Sequence, residues 1–209
     1  MLQSNSKFDL GAGWKVGLLL QVPYIYKTTQ APDPANSSHE AGLGDATAQV
    51  ALLHAIDRSW AFGVGARIVA PAPRDSLGSE TWQVAPGFGI RYSFLEVNSD
   101  TYFVPVIRYA KSVTPNAGAR NISEPQIAPT LNIGLPDRWF VTFYPSNDIR
   151  INWGTPVSGQ KGRVFLPFDI AVGRKFRDDL VASLEASVPI VDDYPVYKFK
   201  TELKLTWRY

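Results

Sequence analysis

Large apolar residues alternate with charged, small or polar ones along nearly every stretch between turns of this 209-residue chain. Successive side chains of an extended strand point to opposite faces, so a sustained period of two builds sheets with one apolar and one polar face. The last segment is the plainest case. Tyr197, Phe199, Leu203, Leu205, Trp207 and Tyr209 fall on one face, and Lys198, Lys200, Glu202, Lys204, Thr206 and Arg208 on the other. Taken alone, such a segment fits a strand of a soluble sandwich as well as a barrel strand between lipid and a wet lumen. The pattern recurs along the whole chain, with no second class of element to cover the apolar faces. That selects an all-β fold: an antiparallel transmembrane up-and-down β-barrel.

Composition excludes other classes. At 45% hydrophobic residues and a mean hydropathy of -0.10 the chain is unremarkable for a soluble protein. No apolar run reaches the length a membrane-spanning helix needs, whereas a barrel hides its membrane character behind alternation. Aromatics at 12% and 16 Gly beside 16 Pro suit strands and turns. The net charge of +2 without a basic run gives no footing for nucleic acid. Cys is absent and only two His are present, which leaves no zinc site and no cofactor to expect.

Turn residues and alternation place strands at 2–10, 14–26, 45–55, 60–71, 82–94, 102–111, 122–135, 139–152, 164–176, 180–191 and 197–209. Most reach the roughly ten residues that cross a bilayer when tilted. Short connections at 11–13, 57–59, 96–100, 136–138 and 177–179 alternate with mostly longer, more polar ones at 28–43, 72–80, 114–120, 154–162 and around Asp193. Short periplasmic turns and long external loops are the habit of bacterial outer-membrane barrels. A single domain over 1–209 is then expected in that membrane, with lipopolysaccharide around its loops, its C-terminus in the periplasm, and its last strand read by the barrel-assembly machinery. About eleven strands is an odd count, and bacterial single-chain barrels are even, so an intact form of about twelve is expected, with the first strand missing ahead of Met1. The start of the chain also lacks the basic and apolar regions of a secretory signal, which fits a trimmed chain.

The facing assigned from the charges puts Trp14, Trp60, Trp139, Trp207 and Tyr209 outward at the periplasmic ends of strands, and Trp82 and Tyr197 outward at the external ends. Two aromatic girdles with aliphatic residues such as Leu18, Leu20, Val50, Ile127, Phe168 and Leu184 between them match both membrane interfaces. Eight prolines fall within the assigned strands, and Pro129 and Pro145, far from strand ends, are expected to mark bulges or breaks.

The loop exit Gly42-Leu43-Gly44-Asp45, the turn Leu131-Asn132-Ile133-Gly134-Leu135-Pro136-Asp137-Arg138-Trp139 and the run Ala171-Val172-Gly173-Arg174-Lys175-Phe176 resemble the outer-membrane proteins grouped as the MetA-pathway-of-phenol-degradation family. The resemblance spans most of the chain. It implies a barrel of about twelve strands that moves small, often aromatic or apolar compounds across the outer membrane.

The inward face is the candidate site. Lys15, Arg67, Arg91, Arg108, Arg150, Lys175, Lys198, Lys200, Lys204 and Arg208 are assigned there, with Glu124, Asp148, Asp169, Glu185 and Glu202. A wet constriction with a basic excess favours anions, whereas charges paired across a filled lumen only keep its interior satisfied. Gly17, Gly63, Gly65, Gly87 and Gly89 leave space on that face or let strands bend. The expected function is a channel for passive passage of small solutes. The alternatives are a plugged structural or surface-binding barrel, and an outer-membrane lipid hydrolase. His39 sits in a polar loop and His54 at a rim with no nucleophile placed beside either, so no enzyme activity is expected. Oligomeric state and the solute itself are open at this level.

Overall fold

Alternation becomes extended chain over most of the residues that the computed structural model describes, which are 1–29, 38–114 and 120–208. The strands are β1 (Leu2–Gly11), β2 (Trp14–Val22), β3 (Tyr24–Thr29), β4 (Ser38–Leu43), β5 (Ala46–Ala55), β6 (Trp60–Ala70), β7 (Trp82–Ser93), β8 (Tyr102–Thr114), β9 (Ser123–Gly134), β10 (Trp139–Phe143), β11 (Ile149–Ile151), β12 (Val164–Lys175), β13 (Leu180–Asp192) and β14 (Lys200–Arg208). β3 and β4 pair only with each other, as a hairpin that prolongs β2 and β5 past Pro23 and Gly44. β10 and β11 both lie between β9 and β12 and form one interrupted stave. What remains is a closed ring of eleven staves, in the order β1-β2-β5-β6-β7-β8-β9-β10/β11-β12-β13-β14 and back to β1.

An odd ring of staves that each reverse direction must bring its first and last together running the same way. β1 and β14 do pair in parallel, Leu2 opposite Leu205 through Asn5 opposite Arg208, and all other neighbours are antiparallel. The Met1 ammonium donates to Leu203 O at 2.7 Å, and Leu205 N donates to Met1 O at 3.0 Å. Among the described residues the ring thus closes through a parallel seam, without the twelfth strand expected ahead of Met1. The seam is short, with four register pairs against nine between β1 and β2.

Tight turns hold one end of the ring. At Gly11-Ala12-Gly13 the backbone takes φ of +82°, +51° and +80°, and a Cβ on Gly13 would also press to 3.0 Å from Ala55 O. That position needs glycine on both counts. Asp57 Oδ1 accepts the amides of Ser59 and Trp60 at 2.7 Å each, which closes the next turn. At the other end the Asp45 carboxylate accepts Ala72 N at 2.8 Å and Ser79 N at 3.0 Å, so the 71–81 connection is drawn in over the mouth, where Leu77 is buried.

The side-chain distribution is inverted relative to a soluble protein. Leu20 is 57% exposed, Ile107 59% and Leu184 61%, while Asp169 and Glu185 inside the ring are 0% and 1% exposed. Charged groups are almost never fully buried unless paired, and a water-soluble barrel would fill its centre with the aliphatic set instead.

Prolines explain why one stave breaks. Pro105 lies opposite Pro129, and Pro167 opposite Pro189. Two facing prolines can exchange no N–H···O bonds, so each must be a non-hydrogen-bonded pair. The missing donors of Pro129 and Pro167 then point to their other neighbour, which for both is the β10/β11 stave, at the height of its gap. With no ladder donor from either side, residues 144–148 leave the sheet and fold into the lumen. Tyr144 carries the turn at φ +51°, its amide still reaching Asp169 O at 2.8 Å. The break expected at Pro145 is present, whereas β9 runs unbroken through Pro129, because that proline interrupts its neighbour and not its own strand.

Candidate functional site: the barrel interior

The inward segment is held by charges from the opposite walls. Asp169 Oδ2 on β12 accepts Asn147 N and Asn147 Nδ2 at 2.9 Å each, and Glu185 Oε1 on β13 accepts Ser146 Oγ and Asn147 Nδ2. Lys200 on β14 reaches Glu185 at 3.0 Å and Glu202 at 2.8 Å, and Lys204 lies 3.8 Å from Glu185. From the other side of the ring Arg108 on β8 meets Asp148 at 2.7 Å, with Arg67 on β6 at 3.7 Å. Deep carboxylates opposite basic partners can stay ionised, whereas an unpaired one would be strongly penalised. Residues 144–148 thus form a bar in the lumen, held on one side by hydrogen bonds from Ser146 and Asn147 to carboxylates and on the other by the ion pairs of Asp148.

Between the bar and the long loops the interior on the β9–β13 side is filled. Phe165 and Tyr194 are 0% and 1% exposed, and Tyr197 lies 5.1 Å from Phe165 between ring centroids with its hydroxyl 2.7 Å from Ser187 Oγ. Burial, reinforced by Glu124, pushes the Tyr194 phenol up to about 12, and its hydroxyl has no hydrogen-bond partner among the described residues. Glu124 is ion-paired with Arg120, and Arg150 stands in the same layer.

Toward the tight turns the lumen is open. One cavity of about 470 Å³ follows β5 to β8 and has small or apolar walls, including Leu53, Gly63, Gly65, Gly87, Gly89 and Val106. A second of about 430 Å³ follows β8 to β14 and is more polar, with Asn5, Asn132, Thr142, Lys175 and Arg208 among its lining. Lys7 and Arg91 line both. The inward glycines leave the first cavity's wall bare, and a Cβ on Gly65 would stand 2.2 Å from Val50 O, so glycine there also lets the β5 and β6 backbones approach.

Of the fifteen charged residues assigned to the lumen from sequence, Arg67, Arg108, Glu124, Asp148, Arg150, Asp169, Glu185, Lys200, Glu202 and Lys204 gather in the layers just described. Lys15, Arg91, Lys175 and Arg208 line the two cavities toward the tight-turn mouth. Lys15 is 3.5 Å from Asp9, and Lys175 is 2.5 Å from Asp100. Lys198 is a correction: β14 begins only at Lys200, and Lys198 lies before it with an 86% exposed side chain, 2.6 Å from Asp192 at the rim. Tyr197 is corrected for the same reason. Alternation does not extend back into the connection, and the ring turns inward instead of joining an outer girdle.

Trp14, Trp60, Trp82 and Trp139 do face outward. The Trp14 and His54 rings lie 4.3 Å apart between centroids, tilted by 34°, and Trp60 lies 4.7 Å from Tyr92. Trp207 faces out beside Leu180 and Ser4, and Tyr209 lies outside the described residues. His54, between Trp14 and Phe62, has Nδ1 unpartnered among the described residues, and His39 Nδ1 is 3.2 Å from the Tyr26 hydroxyl.

Three contributors went unread in the sequence. Lys7 was legible, because Gln3, Asn5, Lys7 and Asp9 share one face of a period-two segment. Ser146 and Asn147 were not, since nothing local says that the segment after Pro145 turns inward; that follows from prolines on two other strands.

A family model described as "Putative MetA-pathway of phenol degradation" matches residues 2–193. No curated protein matches the chain.

Proposed function

The chain belongs to the MetA-pathway of phenol degradation family, and from that premise we propose that it is a bacterial outer-membrane barrel through which small solutes, hydrophobic or aromatic ones among them, cross passively. The observation that carries this reading is the inverted ring: an exposed aliphatic belt flanked by tryptophans, around an interior with two adjoining cavities of about 470 and 430 Å³. A lipid-facing belt with interfacial aromatics and a polar interior is how a membrane barrel solves burial. In this reading the tight turns face the periplasm, the β3–β4 hairpin and the other long connections face out among lipopolysaccharide, and β14 is the strand the barrel-assembly machinery engages.

A second reading has its own support. The bar at 144–148 and the Phe165–Tyr194–Tyr197 cluster obstruct the lumen on the long-loop side, which suits a plugged barrel whose loops bind a partner. Planar-bilayer conductance of the refolded protein separates the two. Discrete current steps, with a reversal potential in a salt gradient that favours anions, are expected for the passage reading; a folded barrel that stays silent would sink it.

The reading also carries no covalent chemistry. The His54→Ala variant is expected to leave phospholipid cleavage by the purified protein at the level of a protein-free control, as the unsubstituted protein should. Hydrolysis by the parent that disappears in the variant would establish a lipid hydrolase instead.

A further inference from the structure

The luminal charges are not all neutralised in the same way. Arg67 and Arg108 share Asp148, Lys200 and Lys204 share Glu185 and Glu202, and Lys175 has Asp100. Lys7, Arg91 and Arg208 have no carboxylate within ion-pair distance among the described residues. Arg91 is held by a 3.1 Å hydrogen bond to Ser93 Oγ and lies 4.2 Å over the Tyr102 ring. All three cations line the second cavity, and Arg91 and Arg208 both lie within electrostatic reach of Lys7. They come from staves on opposite sides of the ring, β1 and β14 on one side and β7 on the other. Lys7 and Arg208 are exposed to the open lumen and Arg91 is half-buried, so the three together set up a positive potential there that an anion placed between them relieves.

The surroundings define what kind of anion. Lys7 and Arg91 also line the first cavity, whose other walls are mostly glycine, alanine and aliphatic side chains. A solute whose charge sits at the junction can lay an uncharged body against that wall. An inorganic ion would use the cations alone and leave the apolar wall wet. A neutral aromatic would use the wall alone and leave three cations unpaired.

We propose that Lys7, Arg91 and Arg208 form a recognition site for amphipathic organic monoanions, such as aromatic carboxylates, with the carboxylate at the junction of the two cavities and the ring in the larger one. This names the solute class for the passage reading and rests on it for its biological meaning, but the site itself can be tested without passage.

The test is equilibrium binding of 4-fluorobenzoate to the refolded barrel in detergent micelles, followed by fluorine NMR, with micelles alone as blank and heat-modifiable gel mobility confirming the fold of each variant. Saturable binding is expected, displaced by benzoate, and much weaker for 4-fluorobenzyl alcohol, which has the same ring without the charge. Arg91→Gln and Lys7→Gln, measured separately, should each weaken it on the order of tenfold, as for loss of one charge-assisted hydrogen bond, and Arg91→Lys should restore part of the loss. Lys198→Gln, at the rim, should leave it unchanged. Equal affinity for the alcohol, full displacement by chloride at benzoate concentrations, or unaltered affinity in both Gln variants would each overturn the proposal. Binding by a barrel that passes no current leaves the site standing and removes the passage reading; current without binding does the reverse.

Discussion

The Asp169→Ala variant is expected to conduct far better than the parent. Asp169 supplies the carboxylate that takes the backbone and side-chain N–H groups of Asn147, standing in for the ladder that Pro129 and Pro167 deny to this stave. Hydrogen bonds to a charged group contribute roughly 1.5–3 kcal/mol each. A loss of about 2 kcal/mol shifts the balance between an inward and a displaced bar by on the order of thirtyfold. Single-channel recording would read this as longer openings or a larger unit conductance. Asp148→Asn, which frees the opposite end from Arg108, should act in the same direction and more weakly, because Asp169 and Glu185 still hold Asn147. If both variants fold, resist heat as the parent does and conduct no more than it does, the bar does not limit passage.

The second large effect tests the membrane itself. Leu184 is 61% exposed, and on its two flanks it pairs with Val172 and Leu203 in the aliphatic belt. An arginine on the lipid face of a barrel costs roughly 2–4 kcal/mol near the bilayer midplane. The same change at an exposed site of a water-soluble protein stays within about 0.5 kcal/mol. Leu184→Arg should therefore lower the folding free energy in lipid vesicles, read from urea titration of the gel mobility shift, by about 2 kcal/mol or more. A change near zero would mean that this belt does not meet lipid.

These expectations differ in what they needed from the sequence. The belt needed only local pattern. Outward Leu184 and inward Glu185 are adjacent, and a strand must send neighbours to opposite faces, so period two assigned both without a partner strand being known. The same rule placed Trp14, Trp60 and Trp139 outward and nine charges of the luminal layers inward, whereas Asp148 reaches the lumen from the bar, outside any strand. It failed where the chain was not a strand: Tyr197 and Lys198 precede β14, and alternation says nothing about a connection.

The sequence by itself thus determined the kind of molecule: a ring of alternating strands, greasy outside and charged within, with tight turns at one end and long connections at the other. Tertiary structure alone decided how the ring closes and what its interior does. Closure through parallel β1 and β14 follows from the number of staves, a property of the whole chain and of no segment. The bar at 144–148 follows from prolines about 15 to 20 residues away on either side, whose missing donors matter only once β9 and β12 flank the same stave. The set of Lys7, Arg91 and Arg208, without a carboxylate partner among the described residues, exists because curvature brings distant staves face to face across a lumen. Side-chain direction is a local property of the backbone, whereas who meets whom across a closed sheet depends on stave count, register and curvature together.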